Sequence, residues 1–464
     1  MILGAKIAVA RAAGALSRRS GRGATSLPGK VLMRLAPDAI GRLAARLPQG
    51  SAVISATNGK TTTAAMVAAI LEPSGTRLVH NRAGANMAGG VASVLLGAAR
   101  GDGIDGDAGL FEVDEFWLDR VVAQLRPRAL LLANLFRDQL DRYGELETIA
   151  DRWAATVAAA PATRLVLNAD DPLVADLGRM RSETGGAGGG RLAAVTYFGV
   201  QDDAVALRGM AHASDSKHCR RCGALLTYEA IYMGHLGRWH CTNGDTRRPE
   251  PDVFATEIVL DGTRAARFEL HLGAEHAAVA LPLPGLYNVY NALGAAALAS
   301  ALGAPLADIV AGLESTQAAF GRAETVAIAG RDLAILLVKN PAGANEVLRT
   351  LALDPGEHDV LAVLNDKIAD GRDISWVWDA DFELVAGSVR RVTCSGTRAA
   401  ELAVRLKYAG VDPSRLHVQP DLERALDAAL ADGGGRLVAL PTYTAMLALR
   451  ELLVARGAAA GSFA

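Results

Sequence analysis

Apolar, β-rich runs alternate with alanine-rich stretches along most of this chain, a rhythm that predicts a parallel sheet covered by helices on both faces. Ala52 to Ser55, Ala108 to Val113, Ala129 to Leu132, Leu165 to Leu167 and Val195 to Phe198 read as strands of a first unit. Leu333 to Val338, Val360 to Leu364, Arg391 to Cys394 and Leu437 to Leu440 read as strands of a second. The expected class is α/β. Three stretches break the rhythm. Gly185 to Gly190 is a glycine-rich surface loop. From Leu207 to Pro251 a cysteine- and histidine-rich segment reads as an inserted module. The uncharged stretch His276 to Ala307 contains Pro282, Pro284, Gly285, Asn288 and Asn291, so it reads as a buried loop leading into a helix rather than as a membrane span. Alternation restarts after Gly321-Arg322-Ala323-Glu324. The organisation expected is a helical leader at 1–48, a central domain at 49–318 with the insertion at 207–251, and a C-terminal domain at 319–464.

Composition adds limits to this picture. With 464 residues, half of them hydrophobic, the chain is globular and too long for one ordinary core. A formal net charge of -2 argues against bulk nucleic-acid binding, so no nucleic-acid partner is expected. The first fifty residues differ from the rest: Lys6, Arg11, Arg18, Arg19, Arg22, Lys30, Arg34, Arg42 and Arg46 face a single acid, Asp38. Three readings are open for them: an organelle-targeting peptide, an amphipathic helix on an anionic membrane surface, or a basic leader helix packed on the next domain. No secretory signal and no transmembrane helix are expected, because the apolar stretches are short or broken.

The richest chemistry lies in Val53-Ile54-Ser55-Ala56-Thr57-Asn58-Gly59-Lys60-Thr61-Thr62-Thr63, where an apolar run enters a small-residue turn ending in Lys-Thr. It reads as a phosphate-binding loop. Backbone N–H groups at Asn58, Gly59 and Thr62 and the positive end of the following helix suit a triphosphate, with Lys60 reaching the terminal phosphates of ATP and Thr61 holding magnesium. The common Gly-x-x-x-x-Gly-Lys spacing is not kept, since Ile54 stands where its first glycine would be. Only seven lysines occur among 48 basic residues, so Lys60 stands out as chosen for a compact ammonium.

Three segments in order, Ala56 to Thr62, Asn168-Ala169-Asp170-Asp171-Pro172 and Tyr287-Asn288-Val289-Tyr290-Asn291-Ala292-Leu293, resemble the Mur ligase superfamily, with Ala56 replacing the usual first glycine of its loop. Within it, Asn81 to Met87, Arg137 to Arg142, Lys339-Asn340-Pro341-Ala342-Gly343 and Asp370 to Trp376 resemble the MurT family, over almost the whole chain. The resemblance implies a Mur ligase-like central P-loop ATPase domain with a parallel sheet and an inserted zinc-ribbon-like module, followed by a Rossmann-like C-terminal domain. It also implies a function in peptidoglycan synthesis: ATP-dependent amidation of the α-carboxylate of D-glutamate in the lipid II stem peptide to D-isoglutamine through an acyl phosphate. Ammonia would come from a GatD-like glutaminase partner, in the cytoplasm at the inner face of the membrane. A stand-alone amino-acid ligase of the Mur or folylpolyglutamate type, or a non-catalytic nucleotide-binding scaffold, are the alternatives.

The same resemblance assigns roles to single residues. Glu112, ending a predicted strand, sits where the superfamily keeps a magnesium-binding glutamate, whereas Asp114 and Glu115 read as a solvated acidic turn. Gln139 replaces a metal-binding histidine, and no lysine lies between Lys60 and Lys217, so the carbamylated lysine of many such ligases has no counterpart there. Asn288 resembles an adenine-contacting asparagine, with a helix cap as its other reading, and Arg322 resembles a nucleotide-contacting arginine at an interdomain hinge. Cys219-Arg220-Arg221-Cys222 followed by Cys241 has metal-ligand spacing, but Asn243 stands where the family's fourth cysteine would be. His218, His235, His240 and Asp245 are candidates to complete a structural zinc site, and loss of the zinc is the alternative. Cys394 reads as an inert core thiol. Asp373 matches an aspartate proposed to complete the partner's Cys-His-Asp triad, with Asp366 and Asp370 as rivals on the same loop.

Overall fold

The computed structural model describes residues 3–19, 26–82, 85–138, 146–185, 192–209, 215–317, 323–431 and 436–459. Three short helices, α1 (Leu3–Arg19), α2 (Leu27–Leu35) and α3 (Ala39–Ala44), precede the first sheet. Its parallel part is assembled from β1 (Ser51–Ser55), α4 (Lys60–Leu71), β2 (Leu78–His80), α5 (Ala88–Ala98), a small β3 (Ala99–Arg100)/β4 (Gly103–Ile104) hairpin, β5 (Ala108–Glu112), α6 (Leu118–Leu125), β6 (Ala129–Leu132), α7 (Leu146–Ala159), β7 (Arg164–Asn168), α8 (Pro172–Gly185) and β8 (Val195–Val200). A separate hairpin follows, β9 (Leu226–Met233) and β10 (Leu236–Cys241). The chain then returns as β11 (Val253–Asp261), β12 (Ala265–Leu272) and β13 (Glu275–Leu281), and closes this part with α9 (Leu286–Leu302) and α10 (Leu306–Glu314).

The resulting nine strands run in the order β13-β12-β11-β8-β7-β6-β1-β5-β2. Side chains alternate across the sheet, as a strand's period of two requires. Ala52 and Ile54 face a core shared with α4, α9 and α10, while Val53 faces a second core under α2, α3, α5 and α6. β1 is flanked by β5 and β6, both parallel to it, with Ile54 in register with Glu112 and Leu131. The chain leaves β1 towards β2 on one side and leaves β6 towards β7 on the other, which opens a crevice at the carboxyl ends of these neighbouring strands.

The second large sheet comprises β14 (Glu324–Ile328), β15 (Arg331–Ile335), β16 (His358–Val363), β17 (Val389–Ser395), β18 (Leu416–Val418) and β19 (Leu437–Pro441), in the order β14-β15-β19-β16-β17-β18. Helices α11 (Pro341–Ala352), α12 (Ala399–Tyr408), α13 (Leu422–Ala431) and α14 (Tyr443–Ala455) cover it, with Val360 and Ala362 in one core and Leu361 and Val363 in the other.

One expectation needs correction. After Pro251 the first sheet is extended by β11, parallel to β8, and then by β12 and β13, each antiparallel to the strand before it. The stretch from His276 is accordingly a strand before it is a helix. In the second half of β13 the exposed positions are alanines, Ala278 and Ala280, alternating with buried Val279 and Leu281, so polar-apolar contrast is missing there. The basic leader, by contrast, is packed: α1 lies on α2 and α2 on α5, burying Leu3, Ile7 and Ala10. Arg11 donates to the carbonyls of Leu96, at 2.9 Å, and Ala99.

A buried polar knot joins three parts of the central fold. Asp170, at 0% exposure, accepts from Arg248 Nε at 2.5 Å through one oxygen. Its other oxygen accepts from Val200 N at 2.9 Å and Tyr290 Oη at 2.6 Å. The end of β7, the exit from the β9–β10 hairpin and α9 thereby share one carboxylate, whose burial is tolerated because it is paired and hydrogen-bonded.

Candidate nucleotide site and cysteine cluster

The loop from Ala56 to Gly59 lies between β1 and α4, and Gly59 enters the helix with φ of +88°, the left-handed region that favours glycine. A Cβ there would meet Asn291 Oδ1 at 2.0 Å, so glycine is required twice over. Asn134, just past β6, clamps the loop: its Oδ1 accepts from Asn58 N at 2.9 Å and its Nδ2 donates to Asn58 O at 3.1 Å. Thr57 Oγ1 accepts from Phe136 N at 3.0 Å. Ala56 carries ordinary backbone geometry, and its methyl is packed in the apolar core beneath the sheet, away from the cavity. The missing glycine therefore costs the loop nothing in shape.

A cavity of about 330 Å³ opens above this loop, between the two large sheets. Asn58, Gly59, Lys60, Thr61, Thr62, Glu112 and Asn288 all line it. Lys60 Nζ bonds Glu115 Oε2 at 2.8 Å and also meets the Ala56 carbonyl. Burial, the largest influence, pulls its ammonium down, but Glu115, Asp114 and Glu112 together leave it above its ordinary value. Glu115 is likewise disfavoured by burial, yet Lys60 and Lys339 hold its carboxyl below the ordinary range. The reading of Asp114 and Glu115 as a solvated turn is thus wrong: Asp114 is 8% exposed and both line the cavity. Acids in sequence default to solvent, and only the fold reveals the cation facing them.

Across the cavity the segment after β15 contributes Lys339, and α11 contributes Gly343 and Glu346. Lys339 bonds Asp138 at 2.5 Å and Thr57 O at 3.3 Å. Asn340 caps α11 by accepting from Gly343 N at 2.8 Å, and exchanges amide bonds with Asn58. Glu346 is 5% exposed; burial, only partly offset by Arg349, pushes its carboxyl up to about 7. Asn288 Nδ2 donates to Pro284 O at 2.8 Å, and its Oδ1 accepts from Asn291 at 3.1 Å, so this residue tightens the start of α9 and lines the cavity at once. Arg322 and Gln139 lie outside the described residues, as do Gly186 to Gly190 of the glycine-rich loop and the Arg142 end of its motif. Asp138, Asn134, Asn340, Lys339 and Glu346 were not singled out from sequence as site residues, though Lys339 and Asn340 stand in a motif quoted above.

The three aspartates on the loop after β16 differ sharply in surroundings. Asp366 pairs with Arg398 at 2.8 Å and bonds Thr397. Asp370 is 3% exposed and accepts from Thr444 N at 2.7 Å. Asp373 is exposed, accepting from Ser375 N at 2.8 Å, and that backbone bond draws its carboxyl down. Of the three, only Asp373 is exposed with no cation among its described partners.

Comparison with known proteins fits this geometry. Residues 54–205 match the Mur ligase middle domain, and residues 337–446 match the MurT ligase C-terminal model. The chain is 32% identical over 439 residues, 94% of each chain, to the Streptococcus pneumoniae protein named lipid II isoglutaminyl synthase (glutamine-hydrolyzing) subunit MurT. It is also 32% identical to the Staphylococcus aureus (strain N315) protein of the same name, over 96% of this chain and 97% of the other. The chain belongs to the MurT family. Among solved structures, a pseudomurein peptide ligase type C from Methanothermus fervidus shares the fold with a TM-score of 0.66 at 22% identity, covering 89% of this chain and 80% of that one. Folylpolyglutamate synthase of Mycobacterium tuberculosis, solved with ADP and AMPPCP, gives a TM-score of 0.60 at 18% identity over 92% and 98%.

In this member of the MurT family the cysteine cluster sits at the base of the β9–β10 hairpin. Cys219, Cys222 and Cys241 bring their sulfurs within 4.8 Å of one another, with no disulfide among them. Burial pushes the Cys219 thiol up, but hydrogen bonds from Thr246 and from the backbone of Cys222 and Arg221 bring it down to about 7. Three convergent soft donors at this separation fit a tetrahedral zinc ion. The far end of the hairpin reaches the nucleotide cavity, where Met233 lines the wall, while His235, wholly buried, packs against Phe136 with its Nε2 3.5 Å from Asp171. Cys394 is a buried thiol pushed up to about 12 by desolvation, inert as expected. Among the described residues, no helix is long and apolar enough to cross a membrane.

Proposed function

We propose that this chain is the ATP-using subunit of a lipid II isoglutaminyl synthase. The reading is carried by the cavity in which a phosphate loop, Lys60 and Glu112 face Lys339 and Gly343, which follow β15, together with 32% identity to named MurT subunits across nearly the whole chain. Residues 49–318 act as the ATP-binding domain, with 207–251 inserted, and 319–464 as the second domain.

A carboxylate is a poor acceptor for ammonia because its leaving group is poor. In this reading one oxygen of the D-glutamate α-carboxylate attacks the γ-phosphorus of ATP, the bond to ADP breaks, and an acyl phosphate forms. Ammonia from a GatD-like glutaminase then adds to the acyl carbon; phosphate leaves, a proton is lost, and the amide of D-isoglutamine results. Gly59 and Thr62 present backbone N–H groups to the phosphates, Asn58 shapes the loop with its own N–H held by Asn134, and Lys60 offsets the charge that builds during transfer. Thr61 and Glu112 supply the hard oxygen donors that magnesium takes, the ion lending charge neutralisation when bound. Asn288 and Arg322 meet the nucleoside end. Asp373, outward-facing, is offered to the partner's catalytic histidine. The Cys219, Cys222 and Cys241 cluster holds structural zinc, and a lipid-linked substrate places the complex at the inner membrane surface.

The test is ATP hydrolysis by the chain reconstituted with its glutaminase, measured with lipid II and either glutamine or ammonium. Turnover with both nitrogen sources is expected, and Asp373→Asn abolishes only the glutamine-driven reaction. Hydrolysis that responds to an added amino acid and never to ammonium sinks the amidation reading; equal loss of both reactions in the variant sinks the role of Asp373.

A further inference from the structure

The basic leader packs on the central domain through only one of its faces. In α1 the stripe Leu3, Ile7, Ala10, Gly14 and Ser17 is buried, and the helix packs on α2. A second stripe at the same three-and-four spacing, Ala5, Val9, Ala12 and Leu16, is exposed, and it too is apolar. Val9 is 47% exposed, Leu16 71%, and Leu27 at the start of α2 41%. A helix turned to water carries polar side chains on its outer face, whereas α1 has alanine, valine and leucine there and no acid anywhere along it. Cations border this stripe. Lys6 and Arg11 lie on either side of it, and Lys30 and Arg34 share the exposed face of α2 with Leu27. Gly29 N donates to Ser93 Oγ at 2.8 Å, which holds α2 on α5, and α5 begins directly after Asn86 and Met87 of the cavity wall.

Charge decides what covers this face. The chain as a whole has a formal charge of -2, so the positive excess of its first fifty residues is a local feature that the rest of the chain offsets. Two copies meeting through the stripe would bring like charges together. The loop that carries Asp373 belongs to the second sheet, while the leader lies on the first, so one partner subunit is not needed at both places. An anionic bilayer matches both properties, since its headgroups attract the cations and its acyl boundary takes the apolar stripe. We propose that the outer face of α1 and α2 is a membrane-docking surface, with Lys6, Lys30 and Arg34 on anionic headgroups and Val9, Leu16 and Leu27 at the acyl boundary. The inference rests on the lipid II reading for its purpose and adds the surface through which the chain meets the bilayer. The contact is peripheral and reversible, because a single apolar stripe anchors weakly without help from charge.

Flotation of the full-length chain with vesicles tests this. It should rise with phosphatidylglycerol vesicles and not with phosphatidylcholine vesicles, and added salt should release it. Lys30→Glu combined with Arg34→Glu should weaken partition roughly tenfold or more. Val9→Asp combined with Leu16→Asp should weaken it by about as much while the cations remain. All four positions are exposed, so both variants should bind ADP like the wild type. Amidation of lipid II held in vesicles should fall with partition in both variants, and amidation of a short-chain, water-soluble analogue should not. Equal binding to the two lipids, or wild-type partition in either variant, overturns the surface. A dimer in light scattering that Val9→Asp with Leu16→Asp dissociates gives the face to a second copy and also overturns it. Vesicle binding without any amidation leaves the surface standing and removes the lipid II reading; amidation by a wild type that binds no anionic vesicle does the reverse.

Discussion

Asn58 and Asn340 exchange two amide hydrogen bonds, at 3.3 and 3.1 Å, although 282 residues separate them in sequence. One belongs to the phosphate loop and the other caps α11 of the second sheet, so the two halves of the cavity are latched at the point where phosphate would lie. Replacing Asn340 by alanine removes both latch bonds and the cap on Gly343 N. A loss of about 1–2 kcal/mol in stability is expected from the cap and latch, and roughly a tenfold rise in the ATP concentration needed for half-saturation. Asn340→Asp keeps the cap and loses one donor, so it should recover stability but not nucleotide affinity. If both variants bind nucleotide like the wild type, the latch has no bearing on the site.

Lys60 is surrounded by three carboxylates in the cavity, Glu112, Asp114 and Glu115. Lys60→Met should lower ATP turnover by roughly 10²–10³-fold, as removal of a preorganised charge donor does. Lys60→Arg should not rescue it, since a planar fork does not replace a compact ammonium between Glu115 and the Ala56 carbonyl. Single-turnover hydrolysis with radiolabelled ATP measures this directly.

Glu346 gives a pH signature. Its carboxyl is raised from 4.5 to about 7, so folding is favoured by protonation: the contribution is complete below pH 4.5 and is lost as the pH rises through 7. The loss amounts to about 3 kcal/mol at roughly 1.4 kcal/mol per unit. Glu346→Gln cannot ionise, so urea denaturation without nucleotide should show the variant gaining on the wild type by about that much between pH 4.5 and 8. A difference that stays flat with pH contradicts it.

Arg248 shares Asp170 with Tyr290 in the interior. Arg248→Met leaves that buried carboxylate without its cation and should cost about 3–5 kcal/mol, seen as a lower urea midpoint at unchanged slope.

Most parallel strands were legible because they are apolar, β-rich runs, whereas the short, partly exposed β2 and β18 were not, and the phosphate loop was legible because Gly59 and Lys60 are adjacent at a strand-to-helix turn. β13 was not, since alanine at exposed 278 and 280 weakened the alternation that marks an antiparallel edge, whereas β12 carries that alternation in Arg267-Phe268-Glu269-Leu270 and was passed over. Glu112 was found from its place at a strand's end, whereas Glu115 was missed because its significance lies in Lys60 and Lys339, one of them more than 200 residues away. Ala56 looked like a defect in the loop from sequence. The fold turns its methyl into the core, where a side chain is welcome.

The Asp170 knot also bears on how this protein can be altered. Because the carboxylate is served at once by Arg248 from the hairpin's exit and by Tyr290 from α9, the stretch 207–251 is not a detachable cassette. Grafting the corresponding stretch from a relative succeeds only where the donor segment brings an arginine to position 248 and the recipient keeps tyrosine at 290. Recombination points placed at 207 and 251 should otherwise yield chains that fail to fold, however well the hairpin itself is formed.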